Sequence, residues 1–264
     1  ARMVRNKVRK FVQEECHPAE ENCTADNFES VLAELRGKAR AQGLWCPFIP
    51  QEHGGMGLRP LANALVQMEL GESFLGALSM NTQGPDDATM LTLLEHGTDH
   101  QKEKFLKPLL NGEKRICYSM TEKAAGADAT GMQTTAVLEG DEWVLNGEKW
   151  FSSSASVADI AVVMAKTDPD APRHEQYSTF IVELPNAGYE IVRNIETMQP
   201  HTELGLKLGG SHSEINIENL RVPRENILGG RGQGFNMGQH RLAYGRLRHG
   251  MHNVAIAQRA LDLA

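Results

Sequence analysis

At 264 residues, 41% of them hydrophobic and 23% charged, the chain can bury a substantial core and has no compositional reason for disorder. A net charge of -7, with lysine and arginine scattered rather than striped, gives no support to nucleic-acid binding. The longest strongly apolar run, Ile160 to Ala165, is far too short to span a bilayer.

The first residues carry Arg2, Arg5, Lys7, Arg9 and Lys10 with no apolar core of a secretory signal, so the basic face is expected on a solvated helix. Glu14 and Glu15 follow directly and argue against a targeting helix. Cys16, Cys23, Cys46 and Cys117 lack the close paired spacing of zinc or redox sites. They are expected as reduced thiols in a soluble intracellular protein, with bacterial cytoplasm and mitochondrial matrix both open as compartments.

Phe28, Val31, Leu32, Leu35 and Ala39 fall at helical spacing, with Asp26 or Asn27 available as a cap and Gly43 near the end. A second helix is expected after Pro60, a third over Thr89 to His96, and a fourth over Gln101 to Leu110, closed by Asn111-Gly112. Residues 1–114 therefore read as an all-α domain. From about Ile116 the texture changes to strands: Thr135 to Leu138, Trp143 to Leu145, Ile160 to Ala165, Thr179 to Leu184, Tyr189 to Ile195 and Ile215 to Val222. Glu139-Gly140-Asp141 marks a hairpin turn, and Asn146-Gly147 signals a second tight turn. No strand is followed by a long helix, so residues 115–230 read as a compact antiparallel β domain rather than a doubly wound sheet. Residues 231–264 return to helical pattern from about Phe235 and run to Ala264 without a cap, as the start of a further, truncated α-helical domain. The overall class is α+β.

Two segments carry the chemistry. Cys117 to Ala136 reads as a short strand ending at Thr121, then a loop of small residues that lets backbone N–H groups approach a phosphate or a flavin edge. Lys149-Trp150-Phe151-Ser152-Ser153 sets two aromatic rings beside two hydroxyls, a pairing that can cover an isoalloxazine face with Trp150 or Phe151 and hydrogen-bond its rim with Ser152 or Ser153. Alternation along a strand would send one ring to the flavin and the other into the core.

In this order and spacing the two segments resemble the acyl-CoA dehydrogenase family, in which a Thr-Glu-x-x-small-Gly-Ser-Asp loop precedes an Asn-Gly-x-Lys-x-Trp-x-Thr segment. Ile49 to Leu58, Val222 to Leu228 and Ala257 to Asp262 look like further landmarks at the expected places. The resemblance implies an α domain, a β domain and a C-terminal α-helical bundle. It implies FAD as cofactor, desaturation of an acyl-CoA to the trans-2-enoyl-CoA, electron transfer to electron-transfer flavoprotein, and a homotetramer or homodimer. A carboxylate base would remove the α proton while the β hydrogen leaves as hydride.

Carried over by position, Tyr118, Met120 and Thr121 would line the flavin, and Gly126 and Ala127 would lie by its pyrophosphate or the substrate. Phe151, Ser152 and Ser153 would cover the ring, with Ser153 facing N5. Tyr244 and Arg246, with Ala127, would meet the acyl-CoA. Ala127, Phe151 and Ser153 stand where the family usually has Ser, Trp and Thr. The first change loses a hydrogen bond worth about 1 kcal/mol, roughly fivefold in affinity; the other two keep the ring face and the hydroxyl. Tyr244-Gly245-Arg246 offers no carboxylate, so the base is expected beyond Ala264 and the fragment is expected to be inactive. His249 and His252 lie one turn apart with no third ligand, and no metal site is expected. Competing expectations are an oxidase or monooxygenase on the same fold, and an inactive acyl-CoA or partner-binding scaffold.

Overall fold

The structure is a computed structural model that describes residues 1–198 and 202–264. The chain falls into two compact units, one of Ala1–Asp87 with Leu242–Ala264, the other of Ala88–Arg241.

In the helical unit α1 (Arg2–Phe11) runs through a π turn at Val12–Cys16 into α2 (His17–Glu21), followed by α3 (Phe28–Ala41), α4 (Pro60–Leu70) and α5 (Gly76–Ser79). Phe28, Leu32, Leu35 and Ala39 are the buried stripe of α3, as their spacing requires. Pro60 opens α4, where its missing N–H costs nothing. The basic face of α1 is not simply solvated. Arg5 and Arg9 reach across to Glu69 of α4 at 2.6 and 2.8 Å, and that carboxylate is only 2% exposed. Burial works against its charge, yet the two guanidiniums hold Glu69 below the usual carboxylate range. At Gly71, which ends α4, an added Cβ would come within 2.8 Å of Ala255 and 3.0 Å of the His252 backbone, so only glycine allows this approach of the two segments.

The second unit takes most of α6 (Asp86–His96), then α7 (Asp99–Gln101) and α8 (Lys107–Leu110), joined by a π turn at Lys102–Leu106. Thr98 and Gln101 form a reciprocal capping box at the start of α7. The rest is an eight-stranded sheet of β1 (Ile116–Ser119), β2 (Thr135–Glu139), β3 (Glu142–Ser153), β4 (Ile160–Lys166), β5 (Tyr177–Glu183), β6 (Tyr189–Asn194), β7 (His212–Pro223) and β8 (Ile227–Leu228). The short α9 (Glu203–Lys207) precedes β7, and α10 (Gly234–Leu263) closes the chain, its first eight residues belonging to this unit.

The order is β6-β7-β3-β1-β4-β5-β8, with β2 against β3 and β4. Most pairs are antiparallel, but β1 and β2 each run parallel to β4. Strand β4, Ile-Ala-Val-Val-Met-Ala-Lys, is buried along nearly its whole length because neighbours flank both edges and both faces are covered. One face carries Trp143, Leu145, Val163, Phe180, Ile215 and Val222. The other carries Met164 and Tyr177, roofed by Ala125, Ala129 and Met132 of the small-residue loop.

The hairpin at Gly140 forms as expected, but Asn146-Gly147 does not turn the chain. Strand β3 continues through it, paired with β7, and a register shift between Leu145 and Gly147 absorbs the irregularity. The Asn146 side chain accepts the Asn219 N–H at 2.8 Å, so a residue suited to a turn bridges two strands instead.

Candidate functional site

The two segments singled out by sequence meet at the seam of β1 and β3, where Tyr118 pairs with Ser153. A second register shift, between Lys149 and Ser152, interrupts the alternation of β3. Its consequence is visible in the backbone. Phe151 adopts φ 57°, a left-handed conformation costly for an aromatic residue, and its ring stands 46% exposed. Trp150 does not enter the core as alternation required. It lies half-buried on the surface, edge-on to Phe151 at 5.6 Å, beneath Lys123 and Arg193. Its backbone N–H donates to the Thr121 carbonyl at 2.7 Å and fixes the bulge against the end of the first segment.

The two serines separate. Ser153 is half-buried, with Oγ 2.9 Å from His212 Nδ1, and the His212 ring stands edge-on to Phe151. Ser152 is fully buried and shares a hydrogen bond with Ser119, which in turn bonds Tyr189; both distances are 2.8 Å. Its hydroxyl therefore belongs to the interior, and the expectation that it could contact a ligand's rim is corrected. Burial drives the Tyr189 phenol well above its ordinary range, so this network stays neutral.

Below the seam lies a pair that sequence reasoning missed. Lys149 is completely buried, and its ammonium donates to Glu122 at 2.9 Å and to the Met120 carbonyl at 3.1 Å. Glu122, 3% exposed, also accepts the backbone N–H groups of Gln133 and Thr134 at 2.5 and 3.0 Å. One carboxylate thus ties both ends of the small-residue loop to β3. Burial pulls Lys149 down to about 8, against the attraction of Glu122. Burial also opposes ionisation of Glu122, but Lys149 and the donors of Gln133 and Thr134 outweigh it and hold the carboxylate low. The signal was present in the alternation of β3, since Trp143 and Leu145 point inward and Lys149 shares their parity.

The loop itself is no plain connection. Ala125, Ala129 and Met132 anchor it on the sheet, Asp128 accepts the Thr130 N–H at 3.0 Å, and Tyr177 donates to the Thr130 carbonyl at 2.5 Å. Gly126 and Ala127 form the exposed crest, and a Cβ at Gly126 would meet nothing. Tyr118 and Met120 turn toward the start of α10: Gly238 allows their approach, and Arg241 lies 4.0 Å from the Tyr118 ring while donating to Thr89. Burial raises the Tyr118 phenol despite that guanidinium. Thr121 is half-buried at the seam.

Tyr244 and Arg246 lie exposed on α10, in the part that belongs to the helical unit, and so in a different unit from Ala127. The buried arginine of that segment is Arg248, paired with Asp87 at 3.0 Å with only 12% and 7% of the two side chains exposed. Gly84 leaves the room it needs, since a Cβ there would sit 2.1 Å from the guanidinium. His252 meets Gln67 at 2.8 Å, Gln67 donates to Thr82 at 3.0 Å, and burial with the nearby Arg248 pulls His252 down to about 3. His249 lies against Arg248. Both histidines have protein partners.

Residues 1–113 match the N-terminal domain and residues 117–219 the middle domain of acyl-CoA dehydrogenases. The chain is 34% identical to mouse acyl-CoA dehydrogenase family member 10 over 96% of its own length, and spans 25% of that protein. A Mycobacterium abscessus structure described as an acyl-CoA dehydrogenase superimposes with a TM-score of 0.89 at 33% identity, covering 98% of this chain and 67% of the other. An acyl-CoA dehydrogenase from Bacillus anthracis solved in complex with FAD gives 0.77 at 30% identity, covering 99% and 43%. With two domain matches that together cover most of its residues, the chain belongs to the acyl-CoA dehydrogenase family.

Proposed function

We propose that the protein is an FAD-dependent acyl-CoA dehydrogenase that converts an acyl-CoA to the trans-2-enoyl-CoA and passes the electrons to electron-transfer flavoprotein. The observation that carries this reading is Phe151, an aromatic ring held exposed in a left-handed bulge beside the Ser153 hydroxyl. A structural aromatic would be expected in the core; a strained, exposed one beside a hydroxyl suits a planar heteroaromatic ligand. When bound, FAD supplies the hydride acceptor.

The residues present fit that group. Phe151 offers a ring face. In the His212 tautomer that donates from Nδ1, Ser153 keeps its own hydrogen for a ring nitrogen. The exposed crest at Gly126 and Ala127 leaves backbone groups open to phosphate oxygens. Tyr118, Met120 and Thr121 form the wall behind, and Ser152 acts through the buried network that fixes its neighbours. Tyr244 and Arg246 are assigned to the acyl-CoA, where a guanidinium suits the phosphate or carbonyl oxygens. Tyr244-Gly245-Arg246 contains no carboxylate, and the α-proton acceptor is assigned to a residue outside this helix segment.

The test is flavin retention. Purified protein should hold FAD through desalting, and Phe151→Ala and Ser153→Ala should each weaken retention while the far-ultraviolet circular dichroism stays unchanged. Retention unaffected by both substitutions would place the flavin elsewhere. Peroxide release under turnover in air would favour the oxidase reading over transfer to electron-transfer flavoprotein.

A further inference from the structure

We propose a second site, at the C-terminal end of α6 and the start of α10: a divalent transition-metal site built from Glu95, His96 and His240. Glu95 and His96 are neighbours at the end of α6 and His240 lies far along the chain on α10, yet their ligand atoms all lie within 4.8 Å of one another. Glu95 Oε2 stands 3.3 Å from His240 Nδ1 and 3.8 Å from His96 Nε2. Two donors bound to a tetrahedral zinc at about 2.0–2.2 Å are themselves roughly 3.3–3.6 Å apart. The first pair already has that spacing, and the second needs only a small side-chain adjustment.

The surroundings also suit an ion. His96 and His240 line a cavity of about 310 Å³ together with Gln233, Asn236 and Met237. Asn236 stands one helical turn before His240 on α10, and its carboxamide oxygen is available in kind as a fourth ligand. The side chains of Glu95, His96 and His240 are 35%, 34% and 56% exposed, so an ion has an entry path. Two imidazoles and a carboxylate with open positions suit zinc or another first-row divalent ion, and suit magnesium or calcium poorly. All three ligands belong to the same compact unit, so a bound ion would clip the end of α6 to the first turns of α10.

Zn²⁺ itself is the probe. Isothermal titration of the metal-free protein should show one Zn²⁺ per chain, and Co²⁺ should give the intense visible bands of a four-coordinate nitrogen and oxygen site. His240→Ala and Glu95→Gln should each lower the Zn²⁺ affinity by at least about 100-fold, more than the 10–100-fold typical of outer-shell changes. His249→Ala should leave it unchanged. Zn²⁺ should raise the melting temperature of the wild type and not of His240→Ala. Absence of stoichiometric binding, or Zn²⁺ affinity indifferent to both ligand substitutions, would overturn the proposal.

Discussion

Lys149→Met removes the ammonium from a fully buried pair while keeping the volume of the side chain. Glu122 is left 3% exposed with its charge and without its cation. Breaking a buried pair from one side costs about 3–5 kcal/mol, because the remaining charge is uncompensated. Glu122 still accepts two backbone N–H groups from Gln133 and Thr134, which places the expected loss near the lower bound, about 3 kcal/mol. That is more than a hundredfold in the unfolding equilibrium and about 6–12 °C in melting temperature for a unit of this size. The Met120 carbonyl loses its donor as well, so the loop from Glu122 to Thr134 should loosen. Urea unfolding followed by tryptophan fluorescence measures the change as a shift in midpoint at unchanged slope. Glu122→Gln in the Lys149→Met background should recover part of the loss, because it removes the stranded charge. A loss under 1 kcal/mol in the single variant, or a double variant less stable than the sum of the singles, would refute the clamp.

His252 is held at about 3 against an ordinary 6.5. The unfolded chain takes up a proton as the pH falls through 6.5 while the folded chain does not, so stability declines below pH 6.5 by up to about 1.4 kcal/mol per pH unit. Denaturant midpoints measured from pH 7 to 5 should show this slope, and His252→Gln should flatten it. Below about pH 4.5 a further loss is expected as Glu69 and Glu122, both held low when folded, become protonated. Gly147→Ala should destabilise by about 1–3 kcal/mol, since the new methyl would stand 2.5 Å from Thr134 Oγ1; thermal melting measures it. Ser153→Ala should weaken FAD retention about fivefold, the worth of one neutral hydrogen bond, read by equilibrium dialysis.

Where local rules and tertiary contacts agree, the sequence is legible. The stripe of α3, the Pro60 start of α4, the Gly140 hairpin and the central β4 all fall where spacing and turn chemistry put them. Three features were not accessible to local reasoning, each for a nameable cause. Asn146-Gly147 has the composition of a turn, but pairing along β7 is worth more than local preference and carries β3 straight on. Trp150 and Phe151 escape alternation because a bulge sits between Lys149 and Ser152, and bulges are set by the partner strand. The basic face of α1 reads as solvated because the cation count of a helix does not disclose a buried carboxylate, here Glu69, on another. At the candidate site, the pairing of Tyr118 with Ser153 brings the two expected segments together, while beneath them the parity of β3 hints that Lys149 is buried and only the three-dimensional structure shows Glu122 as its partner.

The central claim is tested most directly by titrating the complete, flavin-loaded protein with a panel of acyl-CoAs under anaerobic conditions while following flavin absorbance. The account predicts bleaching by one chain-length class, with the matching enoyl-CoA as product. A flavin that no acyl-CoA bleaches, or a protein that holds no flavin, would contradict it.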